Sequence, residues 1–230
     1  MFHAKEVKEL LPGITPFPEN IFTDDQPWLA NHLLPLLSID LGILRDELSG
    51  TVVHVICPVE PYDGYIGEGT TSFHNEFTSP NWFAFQLTDS NRYRFLGSER
   101  YFLTNKGEFD SKHEALMRES YAKSHDYFEK NGRLASYSMY GSGEAHENSW
   151  LNNLGGDFEN GNWIYGAEVP SAFRLTGKLA GEKIEITYEG NSFFHVADVA
   201  GYNYCATGAD SILVFYEPKS RIVLFTFDWS

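Results

Sequence analysis

Apolar and polar positions follow their clearest pattern in the stretch 209–229, which contains two runs of β-branched and aromatic residues. The runs cover 211–216 and 221–227, and the four residues between them include Pro218. Two such runs joined by a short turn are typical of an antiparallel hairpin. Both faces of the first run carry apolar side chains. We therefore expect the hairpin to lie inside a sheet that is covered on each side.

Other segments show strand-like alternation or short β-branched and aromatic runs. The predicted strands are 36–41, 51–57, 82–87, 92–96, 173–176, 183–188 and 192–197. Residues 89–91 and 189–191 have turn composition and are predicted to join neighbouring strands into hairpins.

One long helix is predicted over 108–130, where Ser111 and Glu114 have the spacing of a capping box and an apolar stripe follows. Shorter helices are predicted near the amino terminus, at 4–11 and 27–34. The pattern as a whole predicts an α+β fold. Its sheet is mainly antiparallel, and the long helix covers one face.

The chain is predicted to be a single domain, 1–230. A similarity of pattern, though not of residues, suggests two halves at about 1–105 and 133–230, joined by the helix 108–130. Each half contains a strand, a gap and a second strand that follows a glycine.

The charge balance narrows the possible partners. The 230 residues include 32 acidic and 17 basic side chains, for a net charge of −15. Such a chain repels nucleic acid and anionic membranes and attracts basic partners. No window reaches the roughly 18 apolar residues of a membrane span, and the amino terminus has no signal-peptide pattern. We therefore expect a cytoplasmic protein.

Most of the negative charge lies in two windows without Lys or Arg, 46–91 and 134–173, which together hold twelve net negative charges. Both are rich in loops and aromatic residues, a combination that suits a binder of a basic protein. The residues expected to contact that partner are Glu60, Asp63, Glu68, Glu76, Trp82, Glu144, Trp150, Asp157, Glu159 and Trp163. The alternative is that the acidic loops are only exposed and the aromatic residues form the core.

Motifs for catalysis are incomplete. His74 and Glu76 have the His-x-Glu spacing of zinc deaminases, but the accompanying Pro-Cys-x-x-Cys is absent. Cys205 and His195 could form a nucleophile and base pair if neighbouring strands bring them together, yet both positions look buried. Cys57 and Cys205 are expected to be buried thiols. No catalytic residue, metal ligand or cofactor is predicted.

Several residues of the second half match a known pattern. They are Gly155-Gly156, Trp163, Pro170, 173–175 and 210–215. In this order they resemble the YwqG-like bacterial domain of unknown function. The resemblance extends over 28–57 and 150–229. The Gly-Asp that usually precedes the last strand is here Gly208-Ala209-Asp210, and the Gln expected after Trp163 is missing.

The resemblance implies an α+β fold with a curved antiparallel sheet. Several members of this broad group occur beside secreted toxins as immunity proteins, and no catalytic residues are established for the family. Our leading hypothesis is an immunity protein that blocks the active site of a basic toxin such as a nuclease.

Two alternatives remain. One is an enzyme or small-ligand binder with a pocket lined by Trp150, Trp163, His195 and Cys205. The other is a YwqG-like domain with a housekeeping role.

Overall fold

The computed structural model describes residues 2–59, 64–102, 108–137, 144–158, 161–177 and 183–229. The strands of these residues are β1 (His3–Val7), β2 (Ile14–Pro16), β3 (Leu33–Asp40), β4 (Val52–Pro58), β5 (Thr78–Ser79), β6 (Trp82–Leu87), β7 (Tyr93–Phe95), β8 (Ala135–Tyr137), β9 (Ala145–Glu147), β10 (Leu151–Gly155), β11 (Phe173–Thr176), β12 (Glu185–Tyr188), β13 (Asn191–Ser192), β14 (Phe194–Val199), β15 (Ser211–Glu217) and β16 (Ile222–Asp228).

The α-helices of the described residues are α1 (Glu108–Asn131) and α2 (Asn162–Tyr165). Short 3-10 helices lie at Pro27–Asn31, Leu41–Ile43, Asp46–Leu48, Glu68–Phe73, Glu99–Tyr101 and Gly201–Asn203. The predicted α+β fold with one long helix and mainly antiparallel strands is confirmed.

The main sheet has eight strands in the order β1-β10-β14-β15-β16-β6-β5, and β7 also pairs with β6. Its centre is the predicted hairpin of β15 and β16. The pairing begins with Ser211 opposite Asp228 and ends with Glu217 opposite Ile222. The expected burial of both faces is confirmed. Val214 belongs to one apolar core and Phe215, the next residue, to another.

Two smaller sheets cover the two faces of the main sheet. A large core holds residues of the β2-β3-β4 sheet, the main sheet and α1, including Leu36, Val55, Met117 and Val214. A small core lies between the main sheet and the β11-β12-β13 sheet, and it includes Trp82, Ile186 and Phe215.

Helix α1 closes the large core. Met117 is fully buried, and the Tyr121 hydroxyl donates to the carbonyl oxygen of Pro35 on β3 over 2.5 Å. The helix begins at Glu108, so Ser111 is its fourth residue and not the predicted N-cap.

The predicted helix at 4–11 is wrong, because residues 3–7 form the edge strand β1. Its pairing with β10 joins Val7 to Leu151, and this distant partner overrides the local helical spacing. The helix predicted at 27–34 is shorter, since the 3-10 helix ends at Asn31 and β3 begins at Leu33.

A buried tyrosine connects two of the sheets. The hydroxyl of Tyr93 on β7 donates to the carbonyl oxygen of His54 on β4 over 2.6 Å and accepts from the His54 N–H over 2.7 Å. This side chain thereby pairs both backbone groups of one residue on β4.

Within the described residues, no helix is long and apolar enough to cross a membrane.

Candidate functional site

The predicted carboxylates of the two acidic windows are dispersed over the surface. Four are exposed in the structure: Glu68, Glu76, Glu144 and Asp157. Three others lie outside the described residues: Glu60, Asp63 and Glu159. Glu144 directly precedes β9, which pairs with β8 beside α1, whereas Asp157 follows β10. Of the four described carboxylates, Glu68 and Glu76 belong to the same loop.

The three predicted tryptophan anchors lie in the core. Trp82 is fully buried, and Trp150 and Trp163 are each 1% exposed. The ring of Trp150 packs edge-on against Phe128 of α1 at 5.4 Å, and the rings of Trp82 and Trp163 lie 5.7 Å apart. These side chains stabilise the fold by burying large apolar area. They are not at the surface, where we expected them to meet a partner.

Parts of the two acidic windows are held together by hydrogen bonds. The Ser79 hydroxyl donates to the carbonyl oxygen of Glu168 over 2.6 Å. The N–H of Ala172 donates to the carbonyl oxygen of Glu76 over 2.8 Å. The loop after β4 and the segment after α2 therefore form one continuous surface.

Glu68 joins this surface through Tyr65. Its carboxylate accepts from the Tyr65 N–H over 2.9 Å, which fixes the carboxylate at the start of a 3-10 helix. The Tyr65 ring packs on Gly166, so closely that a Cβ at position 166 would lie 3.2 Å from the tyrosine oxygen. A residue larger than glycine at 166 would therefore require the Tyr65 side chain to shift by a few tenths of an ångström.

The turn between β12 and β13 adds a further carboxylate. The ring of Tyr188, at the end of β12, lies 6.1 Å from the ring of Phe77. Partial burial and the negative charges of Glu189 and Glu76 raise the pKa of the Tyr188 hydroxyl. Glu189 and Glu76 are thus near enough to act on the same group.

We call this surface the acidic face, and it consists of Glu68, Glu76, Glu168, Glu189, Phe73 and Tyr165. Its four carboxylates are exposed, Tyr165 is 66% exposed and Phe73 is 38% exposed. One cation touches it, since the Arg100 guanidinium lies 4.7 Å from the centre of the Phe73 ring. The face combines negative charge with accessible aromatic area.

The alternative pocket lined by Trp150, Trp163, His195 and Cys205 does not form. Trp150 and Cys205 are in the large core, whereas Trp163 is in the small core on the other face of the main sheet. The His195 ring also lies on that second side, 5.7 Å from the ring of Phe215. The main sheet separates the predicted nucleophile from the predicted base.

His195 instead lines a cleft of about 740 Å³, which we call the His195 cleft. The imidazole is 2% exposed, and its Nδ1 lies 3.1 Å from the carbonyl oxygen of Gly155. Because a carbonyl can only accept, Nδ1 carries the proton and Nε2 has the free electron pair. Burial lowers the pKa of His195, which favours this neutral form.

The two thiols are buried and free, as expected. A hydrogen bond with Cys205, together with burial, raises the pKa of Cys57, so the reactive thiolate is disfavoured. In the described residues, no group of three or more His, Cys, Asp or Glu side chains is placed to hold a metal ion.

Two carboxylates of the acidic face are not among the contact residues predicted from the sequence. Glu168 lies in an acidic window but was not singled out, and Glu189 lies outside both windows. The signal for Glu189 is the predicted hairpin turn at 189–191, because turn residues lie at the surface. Nothing in the sequence indicates that β12 brings this turn beside Glu76.

Comparison with protein-family models, with curated proteins and with solved structures finds no match for this chain.

Proposed function

We propose that the chain is an acidic binding protein that takes up a basic protein partner on the acidic face. The observation that carries this proposal is the pair of hydrogen bonds that joins Ser79 to Glu168 and Ala172 to Glu76. They place carboxylates from both acidic windows on one surface. Charge concentrated in this way accelerates association with an oppositely charged partner and orients it.

The exposed aromatic side chains supply the second requirement of a binding surface. Tyr165 and Phe73 offer apolar area that water covers in the free protein. Tyrosine and other aromatic residues provide much of the affinity where they become buried at an interface. The proposed partner is therefore a basic protein with apolar positions between its Lys and Arg residues.

The resemblance to YwqG-like domains supports a narrower proposal, namely that the partner is a toxin that acts on nucleic acid. The basic active site of such a toxin binds phosphates. Glu68, Glu76, Glu168 and Glu189 would offer carboxylates to the same Lys and Arg side chains and so block access to the substrate.

An affinity experiment with paired variants tests the binding proposal. The bait proteins are the wild type, the variant Glu76→Lys with Glu168→Lys, and the control Asp126→Lys with Glu129→Lys. Both variants change four units of charge at exposed positions, but the control positions lie on α1. Each bait is exposed to lysate of the native host at low and at physiological salt, and association with a recovered protein is then timed.

We expect the wild type and the control to retain the same basic protein in stoichiometric amount. The Glu76/Glu168 variant should associate at least about tenfold more slowly at low salt. Equal losses in both variants would mean that only net charge matters. An unchanged rate in the Glu76/Glu168 variant would exclude the acidic face as the binding surface.

A further inference from the structure

Most arginines of the described residues are already neutralised. Five form ion pairs with carboxylates within 4.0 Å: Arg92, Arg94, Arg118, Arg133 and Arg221. This is expected in a chain with 32 acidic and 17 basic residues, where each cation has many carboxylates within reach. Among the lysines, Lys123 also forms an ion pair. The informative feature is therefore not a single unpaired cation but several such cations that line one cavity.

The His195 cleft contains such a group. Lys5 on β1, Arg45 after β3 and Lys183 before β12 all line it, and none has an ion-pair partner in the part of the chain that the structure describes. Two carboxylates also line the cleft, those of Asp157 and Glu185. Among the described residues that line the cleft, the three cations exceed these two carboxylates, a balance opposite in sign to the net charge of −15.

One of these two carboxylates already accepts a hydrogen bond from another side chain of the protein. Glu185 accepts a hydrogen bond from the Ser192 hydroxyl over 2.7 Å. The Arg45 guanidinium lies 3.9 Å from the centre of the Phe194 ring, a cation–π contact that holds it against the wall of the cleft. Arg45 is thus fixed in place while its N–H donors lack a carboxylate.

The remaining wall is apolar and aromatic. Phe158, Phe193, Phe194 and Phe215 line the cleft together with Ile184 and Ile186. A volume of about 740 Å³ lies in the usual range of small-molecule sites, which are mostly apolar with a few polar groups. The lining suits an organic molecule that has an apolar body and an anionic end.

A buried polar atom gives independent support. Within the described part of the chain, His195 Nε2 has no hydrogen-bond partner, although the residue is only 2% exposed. Buried polar atoms without partners are rare, since each costs about 1–3 kcal/mol. The ring of Phe158 lies 5.4 Å from this imidazole, and both side chains line the cleft.

We propose that the His195 cleft binds a small organic anion. Lys5, Arg45 and Lys183 hold its carboxylate or phosphate, and the phenylalanine rings hold its apolar body. His195 Nε2 accepts a hydrogen bond from a hydroxyl or N–H group of the ligand. This site is independent of the acidic face and of any protein partner.

Fluorescence titration with 8-anilinonaphthalene-1-sulfonate, an aromatic anion, tests the site. Phenyl phosphate, phenylacetate and neutral benzyl alcohol then compete for it. The test variants are Lys5→Gln with Lys183→Gln, two exposed positions that should not impair folding, and Arg45→Gln. Lys130→Gln with Lys219→Gln is the control, because it removes the same charge from exposed positions that do not line the cleft.

We expect saturable binding at one site, weakened at least about tenfold in both test variants and unchanged in the control. Phenyl phosphate and phenylacetate should displace the probe, and their relative strengths identify which anionic group is preferred. Absence of saturable binding would overturn the proposal. So would equal displacement by benzyl alcohol, or equal weakening in the control, because neither outcome requires the cations of the cleft.

Discussion

His54 is a buried residue whose protonation opposes folding. Its Nε2 lies 2.6 Å from the carbonyl oxygen of Asn91, and its Nδ1 lies 2.7 Å from the Ser38 hydroxyl. Nε2 must donate to the carbonyl, so Nδ1 accepts from the serine in the neutral form. Burial lowers the pKa of His54 from 6.5 to about 4.

This shift predicts a loss of stability in mild acid. The unfolded chain takes up a proton near pH 6.5, whereas the folded protein does so only near pH 4, so stability falls as the pH drops through this window. Between pH 7.5 and 5.5 we expect His54 to remove about 1 kcal/mol from the free energy of unfolding, measured with urea.

The variant His54→Gln should lose this part of the pH dependence. His125→Gln is the control, because it removes a histidine at a partly exposed position on α1. The lowered pKa of His195 acts in the same direction and remains in both variants. A wild-type slope in His54→Gln would show that His54 has the same pKa in the folded and the unfolded chain.

At the scale of elements, Tyr93 is the link between β7 and β4. Its hydroxyl forms hydrogen bonds with both the N–H and the carbonyl oxygen of His54. In the described structure, no strand pairs with β4 on that side. Tyr93→Phe should therefore leave two buried backbone groups without partners. We expect a loss of about 1–3 kcal/mol in the free energy of unfolding, measured by urea titration.

Tyr202→Phe is the matched control, since Tyr202 is 46% exposed and its hydroxyl can bond to water. That variant should remain within about 0.5 kcal/mol of the wild type. If the two variants have equal stability, another group must take over the pairing of His54.

Which elements could be predicted from the sequence depends on how far away their partners lie. The β15–β16 hairpin was predicted because its two strands and its turn are adjacent in the chain. Strand β1 is not predicted from the sequence, because its pairing partner β10 follows about 150 residues later in the chain. The apolar spacing at 4–11 fitted a helix equally well, and only pairing decides between the two.

The negative charge of the candidate site could be predicted from the sequence, but the set of side chains that form it could not. The acidic windows were visible as stretches without Lys or Arg, and parts of both meet on the acidic face. The three tryptophans are buried, although they are predicted at the surface. The reason is that sequence alone does not distinguish a loop that covers a core from a loop that faces water. Trp163 lies in such a loop-rich region, on the short helix α2, and is 1% exposed.

At the scale of the whole molecule, the net charge of −15 opposes the compact state. Repulsion among like charges destabilises folding, and it weakens as salt shortens the range of electrostatic interaction from about 30 Å at 0.01 M to about 10 Å at 0.1 M. The ion pairs are mostly at the surface, where each contributes about 0–1 kcal/mol. We expect the loss of repulsion to outweigh the weakening of these pairs.

The melting temperature should therefore rise by about 2–4 °C between low salt and 0.5 M NaCl, which corresponds to about 1 kcal/mol. Differential scanning calorimetry measures this shift. The variant Asp126→Lys with Glu129→Lys makes the net charge less negative by four units and should respond less. A melting temperature that falls with salt would show that the ion pairs contribute more than the repulsion.

The position of the hairpin in the main sheet also sets the order in which the sheet can form. Strands β14 and β6 flank β15 and β16, and both precede them in the chain. During synthesis these flanking strands leave the ribosome before the residues that pair them, so each has an open edge at that stage. Assembly of the main sheet waits for residues 211–228, and a nascent chain without them is the state most exposed to aggregation.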